Sequence, residues 1–449
     1  LKCVEALDEA RRALPPAAHP FSFDWQTPLG WIRVRGCGDD AVDATDSLLL
    51  VDLGGNDLYS GGAGAPGTAR LLSLCLDLSG DDSYVGGAAA QGAGVCGVGV
   101  LLDAAGDDAY EAEQYAQGAG QFGFGALFDL AGDDRYRARW SSQGCGYFGV
   151  GILGDAAGKD RYELHADGQG FGGVGGVGVL ADRAGDDVYF ADPDPALSGR
   201  ASYHSEGKVS VSNAQGCAMG RRGDGADGHS WAGGLGVLLD VDGDDSYTAG
   251  NWCHGTGYWF GTGLLWDGAG NDAYRGHVWS QATGAHFCIG ALVDDGGDDV
   301  HAAAGANSIA FGHDFAIALL VNTGGGDRYE ATAGDGMGFS INRSVAALID
   351  VGGDDAYAGK PGNVPGFARY DERFADYEGL STYFADASSI ALFLDVGGSD
   401  SYWNGGGDGK AWGDAPGSPN WKVRNVGAGM DVAEGAIDWR PLAVKGRQR

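Results

Sequence analysis

The sequence predicts an all-β fold: a single elongated β-solenoid, or β-helix, of about twelve ~26-residue coils with an N-terminal helical cap. Three observations predict it. The first is a repeated unit, typified by residues 101–110, LLDAAGDDAY: Asp, two residues, Gly, an often acidic residue, Asp, one residue, Tyr. It begins at Asp52, Asp77, Asp103, Asp129, Asp155, Asp182, Asp240, Asp267, Asp294, Asn322, Asp350 and Asp395. Most starts lie 25 to 28 residues apart, and the two longer gaps, 58 and 45, hold one interval plus inserted residues. The second is period-two alternation before each first Asp, as in VCGVGVLLD, QFGFGALFD and YFGVGILGD, which reads as a strand. The third lies just after the motif: a second short strand, as in YEAEQYAQ, then a Gly-rich corner such as Gln117-Gly118-Ala119-Gly120. A propeller blade needs roughly 40 to 50 residues and four strands, more than each repeat supplies. Twelve coils at about 4.8 Å each give a rod on the order of 60 Å long.

In chain order, residues 1–14, LKCVEALDEARRAL, carry helical spacing and stop at Pro15-Pro16, so they predict a capping helix. Residues 1–50 form the N-terminal cap, including a degenerate copy, Gly38-Asp39-Asp40-Ala41-Val42; terminal repeats are atypical because they shield an open sheet edge. Residues 51–404 are the solenoid, with insertions at about 190–231 and 359–387. The first insertion flanks a returning segment, Gln215-Gly216-Cys217. Residues 405–449 lose the repeat and end in a basic tail, the expected C-terminal cap.

Twenty-nine basic residues against 62 acidic ones leave a net charge of −33. Such a chain repels nucleic acid and anionic membrane and attracts cations or basic partners. It holds no apolar run long enough for a membrane-spanning helix. The absence of Met at Leu1 suggests removal of a leader or a longer upstream segment. The eight cysteines include no CxxC or Cys/His metal pattern. Cys3 and Cys37 could bridge over the cap, and Cys96, standing where other coils have Phe122, Phe148, Phe260 and Phe287, reads as a small buried hydrophobe.

The copies can be compared with one another. Gly at the fourth position and Asp at the sixth (Asp57, Asp82, Asp108, Asp134, Asp160, Asp187, Asp245, Asp272, Asp299, Asp327, Asp355 and Asp400) are present in all twelve. The first position is Asp in eleven, with Asn322 the exception, while the fifth varies and should face water. Stacked coils then make two columns of carboxylates whose mutual repulsion, about 3 to 4 kcal/mol per neighbouring pair at an effective dielectric of 20, needs an offset. Calcium, which takes six to eight oxygen ligands, would supply it at the first- and sixth-position aspartates. The alternative is that each Asp caps its own turn.

The pieces GGNDLY, GDDSY, GDDAY and GDDRY resemble the tail of the calcium-binding nonapeptide of secreted RTX-type β-rolls. The resemblance implies secretion and calcium-driven folding. The chain departs from that pattern in its ~26-residue period and in lacking tandem GGxGxD.

Tyr closes the motif in eleven copies, with His301 in the twelfth, and predicts an aromatic ladder; Gln91, Gln117, Gln143, Gln169, Gln215 and Gln281 predict an amide ladder at a corner. The bare glycine face offers a flat surface for a partner. Gly228-His229-Ser230-Trp231 imitates a nucleophile elbow but lines up with an ordinary coil. If the chain is an enzyme, the first insertion supplies Glu206, Arg221, Asp224, Asp227 and His229 for acid and base work on a polysaccharide, as a lyase or glycoside hydrolase. Trp231, Trp252, Trp259 and Trp279 are candidate contacts to sugar or to a protein partner. His254, His277, His286 and His313 show no paired helical spacing, which argues against zinc or haem. The expectation is a secreted, extracellular, cell-surface or periplasmic calcium-stabilised protein with a structural, adhesion or assembly role, including self-assembly.

Overall fold

The computed structural model describes residues 2–15, 17–66, 70–223, 229–369, 388–403, 406–413 and 425–435. The chain winds as stacked parallel coils into a β-solenoid, with one helix, α1 (Lys2–Ala13), at its N-terminus. A typical coil has three strands: Val98–Leu102, Ala109–Glu111 and Gly120–Gln121. Each pairs in register with its equivalents in neighbouring coils, so that Leu101, Leu127, Leu153 and Leu180 align in one row. The result is a 16-stranded first sheet, a 13-stranded second sheet, and a third sheet in runs of three and six strands. Bridges from Gly146 to Gly172 and from Gly172 to Ala218 join the two runs. At both ends of the first sheet the outermost pairing turns antiparallel, Ser22–Thr27 on Gly30–Arg35 and Ala411–Gly413 on Val426–Val432. These pairs occupy edges that would otherwise accept further strands.

The alternation of the first sheet puts Gly99, Leu101 and Asp103 inside and Val98, Val100 and Leu102 outside. The glycine face is therefore interior, which corrects its assignment as a partner surface. A Cβ on Gly125 would lie 2.1 Å from the Ala119 carbonyl oxygen, so glycine there lets the third sheet press against the first. The fourth motif position needs glycine for a second reason. Gly132 has φ +154° and an added Cβ would lie 1.5 Å from the carbonyl oxygen of Gly106, its equivalent one coil earlier.

The core is built of ladders. The motif tyrosines from Tyr59 to Tyr402, with His301 among them, stack ring over ring with centroids 4.6 to 5.0 Å apart. The glutamine ladder is equally regular: Gln143 Nε2 donates to the Tyr136 carbonyl of its own coil and the Glu163 carbonyl of the next, at 3.1 and 3.0 Å. Gln215 makes the same pair of bonds to Tyr189 and Thr248, so the returning segment within the first insertion is a true corner. The inserted residues thus split in two, around a short helix at Pro195–Ser198 and around the Arg221–Trp231 bridge.

Two cysteine expectations are corrected. Cys3 and Cys37 are both free; Cys3, on α1, packs against the apolar residues beneath the helix while Cys37 is exposed. Cys96 is exposed rather than buried, because its column turns outward with φ +54°, and Phe122 and Phe148 stack beside it on the surface. No helix among the described residues is long and apolar enough to cross a membrane.

Candidate cation site in the carboxylate columns

Motif positions one and six form two interior columns. The strand Phe124–Phe128 delivers Asp129 to the end of the first sheet, and the turn held by Gly132 delivers Asp134 to the start of the second. Both carboxyls are buried, Asp129 at 1% exposure and Asp134 at 2%. Tyr110 from the preceding coil donates its O–H to Asp129 Oδ2 at 2.6 Å, and the Ala131 N–H bonds Asp129 Oδ1 at 3.2 Å. Asp134 Oδ1 accepts the Asp108 N–H at 2.6 Å, and the Asp134 N–H donates in turn to Asp160 Oδ1 at 2.7 Å. The sixth-position aspartate is therefore a tie between coils. It bonds the backbone of the coil before, whereas the first-position aspartate caps its own turn.

That leaves the sixth-position Oδ2 without a donor in most coils. The Oδ2 atoms of Asp82, Asp108, Asp134, Asp160, Asp187 and Asp245 are buried and have no hydrogen-bond partner. In the Asp129–Asp134 pair the two carboxyls meet, so either one carries a proton or a cation sits between them. Burial, followed by the charge of the neighbouring first-position carboxylate, pushes Asp82 up to about 9, Asp134 to about 11, Asp187 to about 9 and Asp245 to about 11. Oxygens of Asp82, Asp103 and Asp108 lie within 4.8 Å of one another, as do those of Asp57, Asp77 and Asp82. Oxygens sharing one calcium at 2.3–2.6 Å are at most about 5 Å apart. The donor set is all oxygen and the spacing fits.

The columns extend beyond the twelve copies. The Asp40 N–H donates to Asp57 Oδ1 at 2.5 Å, so the degenerate first copy takes part. At the other end Tyr402 donates to Asp431 Oδ2 at 2.9 Å. Asp431 went unrecognised in the sequence, although its MDV matches LDV at Asp395. The fifth position is exposed, yet it too forms a ladder, the Asp133 N–H donating to Asp107 Oδ1 at 3.0 Å.

The exception in the columns is chemically paired. Where His301 replaces the tyrosine donor, Asn322 replaces the aspartate acceptor one coil on, and Asn322 Nδ2 lies 3.3 Å from His301 Nε2. Burial drives the His301 pKa down to about 3, so the ring is a neutral acceptor and the amide is its donor. Asn322 Nδ2 also donates to Asp299 Oδ2, and Asp299 rises only to about 7.

The insertion residues are scattered. Glu206 pairs with Lys208 at the surface, Arg221 bridges the Trp231 backbone, and His229 is exposed. Asp224 and Asp227 lie outside the described residues. A strand, Leu235–Leu239, comes after the Ser230 segment, so no strand-to-helix elbow forms there. Trp252 and Trp279 are core residues rather than contact residues: they stack at 4.9 Å with 5% and 6% exposure. Trp231 and Trp259 do reach the surface. A cluster the sequence hid lies beside Trp259. His286 Nδ1 is 3.0 Å and His313 Nδ1 3.2 Å from Asp314 Oδ2, while Arg222 reaches His286 Nε2 at 2.7 Å. Burial opposes the Asp314 charge, but the hydrogen bonds from His286 and His313 outweigh it and hold this carboxyl well below the usual range. Compared with known proteins, the chain matches no family model, no curated sequence and no solved structure.

Proposed function

We propose that the chain is a structural rod of the cell exterior, with an assembly or adhesion role, stiffened by calcium held between successive coils. The observation that carries this is the column of buried Oδ2 atoms lacking a donor, in a column where the Asp82 carboxylate clusters with those of Asp103 and Asp108 and with those of Asp57 and Asp77. Calcium bound there would neutralise the carboxylates and fix the spacing of the coils. Protons alone are a costly substitute. An ordinary aspartate ionises near 4, so each one protonated on folding at pH 7 costs about 4 kcal/mol, coil after coil. The resemblance of the GDDxY turns to RTX-type calcium turns favours the same ion and an extracellular, cell-surface or periplasmic setting. Bound metal counted by native mass spectrometry, with thermal unfolding in EGTA and then in millimolar calcium, tests it. Several ions per chain and a large upward shift are expected. No ions and no shift would refute it and leave protonated turn caps.

A second function, polysaccharide cleavage, is favoured by one observation: Arg222, from the first insertion, meets the His286–Asp314 pair beside Trp259. Asp314 would orient His286 as the acid or base, and Arg222 would hold an anionic sugar group. Release of reducing ends from polysaccharide, abolished in His286→Ala, would establish it; inert substrates would exclude it.

A further inference from the structure

The outer faces of the two long sheets are dressed in opposite ways. On the second sheet the outward residues include charged pairs, Arg135 and Arg161 with Glu163, and Arg328 with Glu330. On the first sheet they are apolar. Over the six strands from Val177–Ala181 to Val345–Val351, the three outward positions before the motif Asp are Val, Leu, Ile, Ala or Trp throughout, with Thr262 the single polar side chain. Leu235, Ile289, Ile317 and Val345 are 39 to 46% exposed. A solvated sheet face alternates apolar-in, polar-out; this one is apolar on both sides, as in sheets covered on both faces.

The same face is covered at its N-terminal end. There α1 lies on it, with Leu7 buried against Leu76, Val100 and Leu102 and with Val4 and Ala10 packed alongside. At the far end Leu394 is buried as well, with Leu392 half-buried beside it. Among the described residues, the six strands between are left open. At about 4.8 Å per strand and three side chains per strand they present roughly 30 Å by 20 Å, or ~600 Å². That is the upper end of what a monomer exposes in one patch, and two copies of it supply ~1,200 Å², the lower end of the range for stable interfaces.

We infer that this face pairs with the same face of a second copy of the chain, with the rods antiparallel. Two flat, periodic apolar sheets pack at about 10 Å, with side chains from each filling the gap. Parallel rods would stack α1 on α1, needing about twice that gap. Antiparallel rods place each α1 beyond the end of the partner's open strands, where it fits in the same 10 Å layer. The two-fold axis then runs along the strands, and Thr262–Asp267 of one copy faces Ile289–Asp294 of the other. Asp186, Asp244 and Asp298 line the exposed turn beside the face, so salt should tighten the pairing by screening them.

This names a partner for the scaffold proposed above and rests on it only in requiring a rigid rod; the metal count and the mass measured below fail independently. The full chain is weighed by sedimentation equilibrium in buffer with millimolar calcium at low and moderate salt. The expected mass is twice 46.0 kDa, with tighter association at the higher salt. Leu319→Lys and Val237→Lys, on separate strands of the face, should each weaken it about tenfold or more. Ala302→Lys, outward on the second sheet, should leave it unchanged. Circular dichroism melts of each variant check the fold. A monomeric wild type, or a dimer indifferent to both face variants, would overturn the inference.

Discussion

Asp134→Asn separates a proton from a cation in the columns. The Asp134 carboxyl is buried, accepts the Asp108 N–H through Oδ1, and turns its undonated Oδ2 to Asp129. Burial and the Asp129 charge push it up to about 11. Without metal the folded Asp129–Asp134 pair therefore holds a proton well above about pH 4, where the unfolded chain has lost it. Stability from this site is complete in acid and falls as pH rises, by about 1.4 kcal/mol per unit. Asparagine keeps the acceptor, offers an N–H₂ to Asp129, and takes up no proton. In EGTA the variant should match wild type near pH 4 and exceed it by up to about 4 kcal/mol at pH 7. In calcium the order should reverse, since the variant has lost a charged ligand. Urea unfolding monitored by circular dichroism across this pH range, with and without calcium, reads both. A variant less stable than wild type in EGTA, with an unchanged pH slope, would show that Asp134 is ionised in the folded chain and refute the reasoning.

Individual contacts carry three further predictions. Gly125→Ala places a Cβ 2.1 Å from the Ala119 carbonyl oxygen and should cost about 3 kcal/mol or abolish folding in thermal melts, whereas Gly87→Ala, with nothing within 4 Å, should change stability by less than about 0.5 kcal/mol. Gln143→Leu removes one bond within its coil and one to the next and should cost about 2 kcal/mol in urea unfolding at constant m-value. Asn322→Asp sets an acceptor against the acceptor nitrogen of His301 and should cost about 2 kcal/mol at neutral pH. The double variant with His301→Tyr recreates the usual tyrosine–aspartate bond, and a thermodynamic cycle should show at least about 1 kcal/mol of rescue.

The legible and the hidden parts of the chain divide along one physical line. Spacing alone exposed the coil, because every coil must repeat its turn, and the tyrosine and glutamine ladders repeat with it. Direction was hidden. Period-two alternation at Gly99 and Gly125 announces two faces without saying which is inside, and bulk is a misleading guide: the small residue faces inward because the third sheet comes within contact of its backbone. The same error moved Cys96 inward and Trp252 and Trp279 outward, since corner residues at positive φ redirect side chains in a way that hydrophobicity does not report. Helical spacing was the wrong ruler for His286 and His313. They stand 27 residues apart, one coil, and on a solenoid that separation makes them neighbours. In such a fold the coil period replaces 3.6 and 2 as the distance at which residues meet, so any pair of chemically able side chains one coil apart is a candidate site. By that rule Asp314, 28 residues after His286 and next to His313, could have been placed in the cluster before any coordinates.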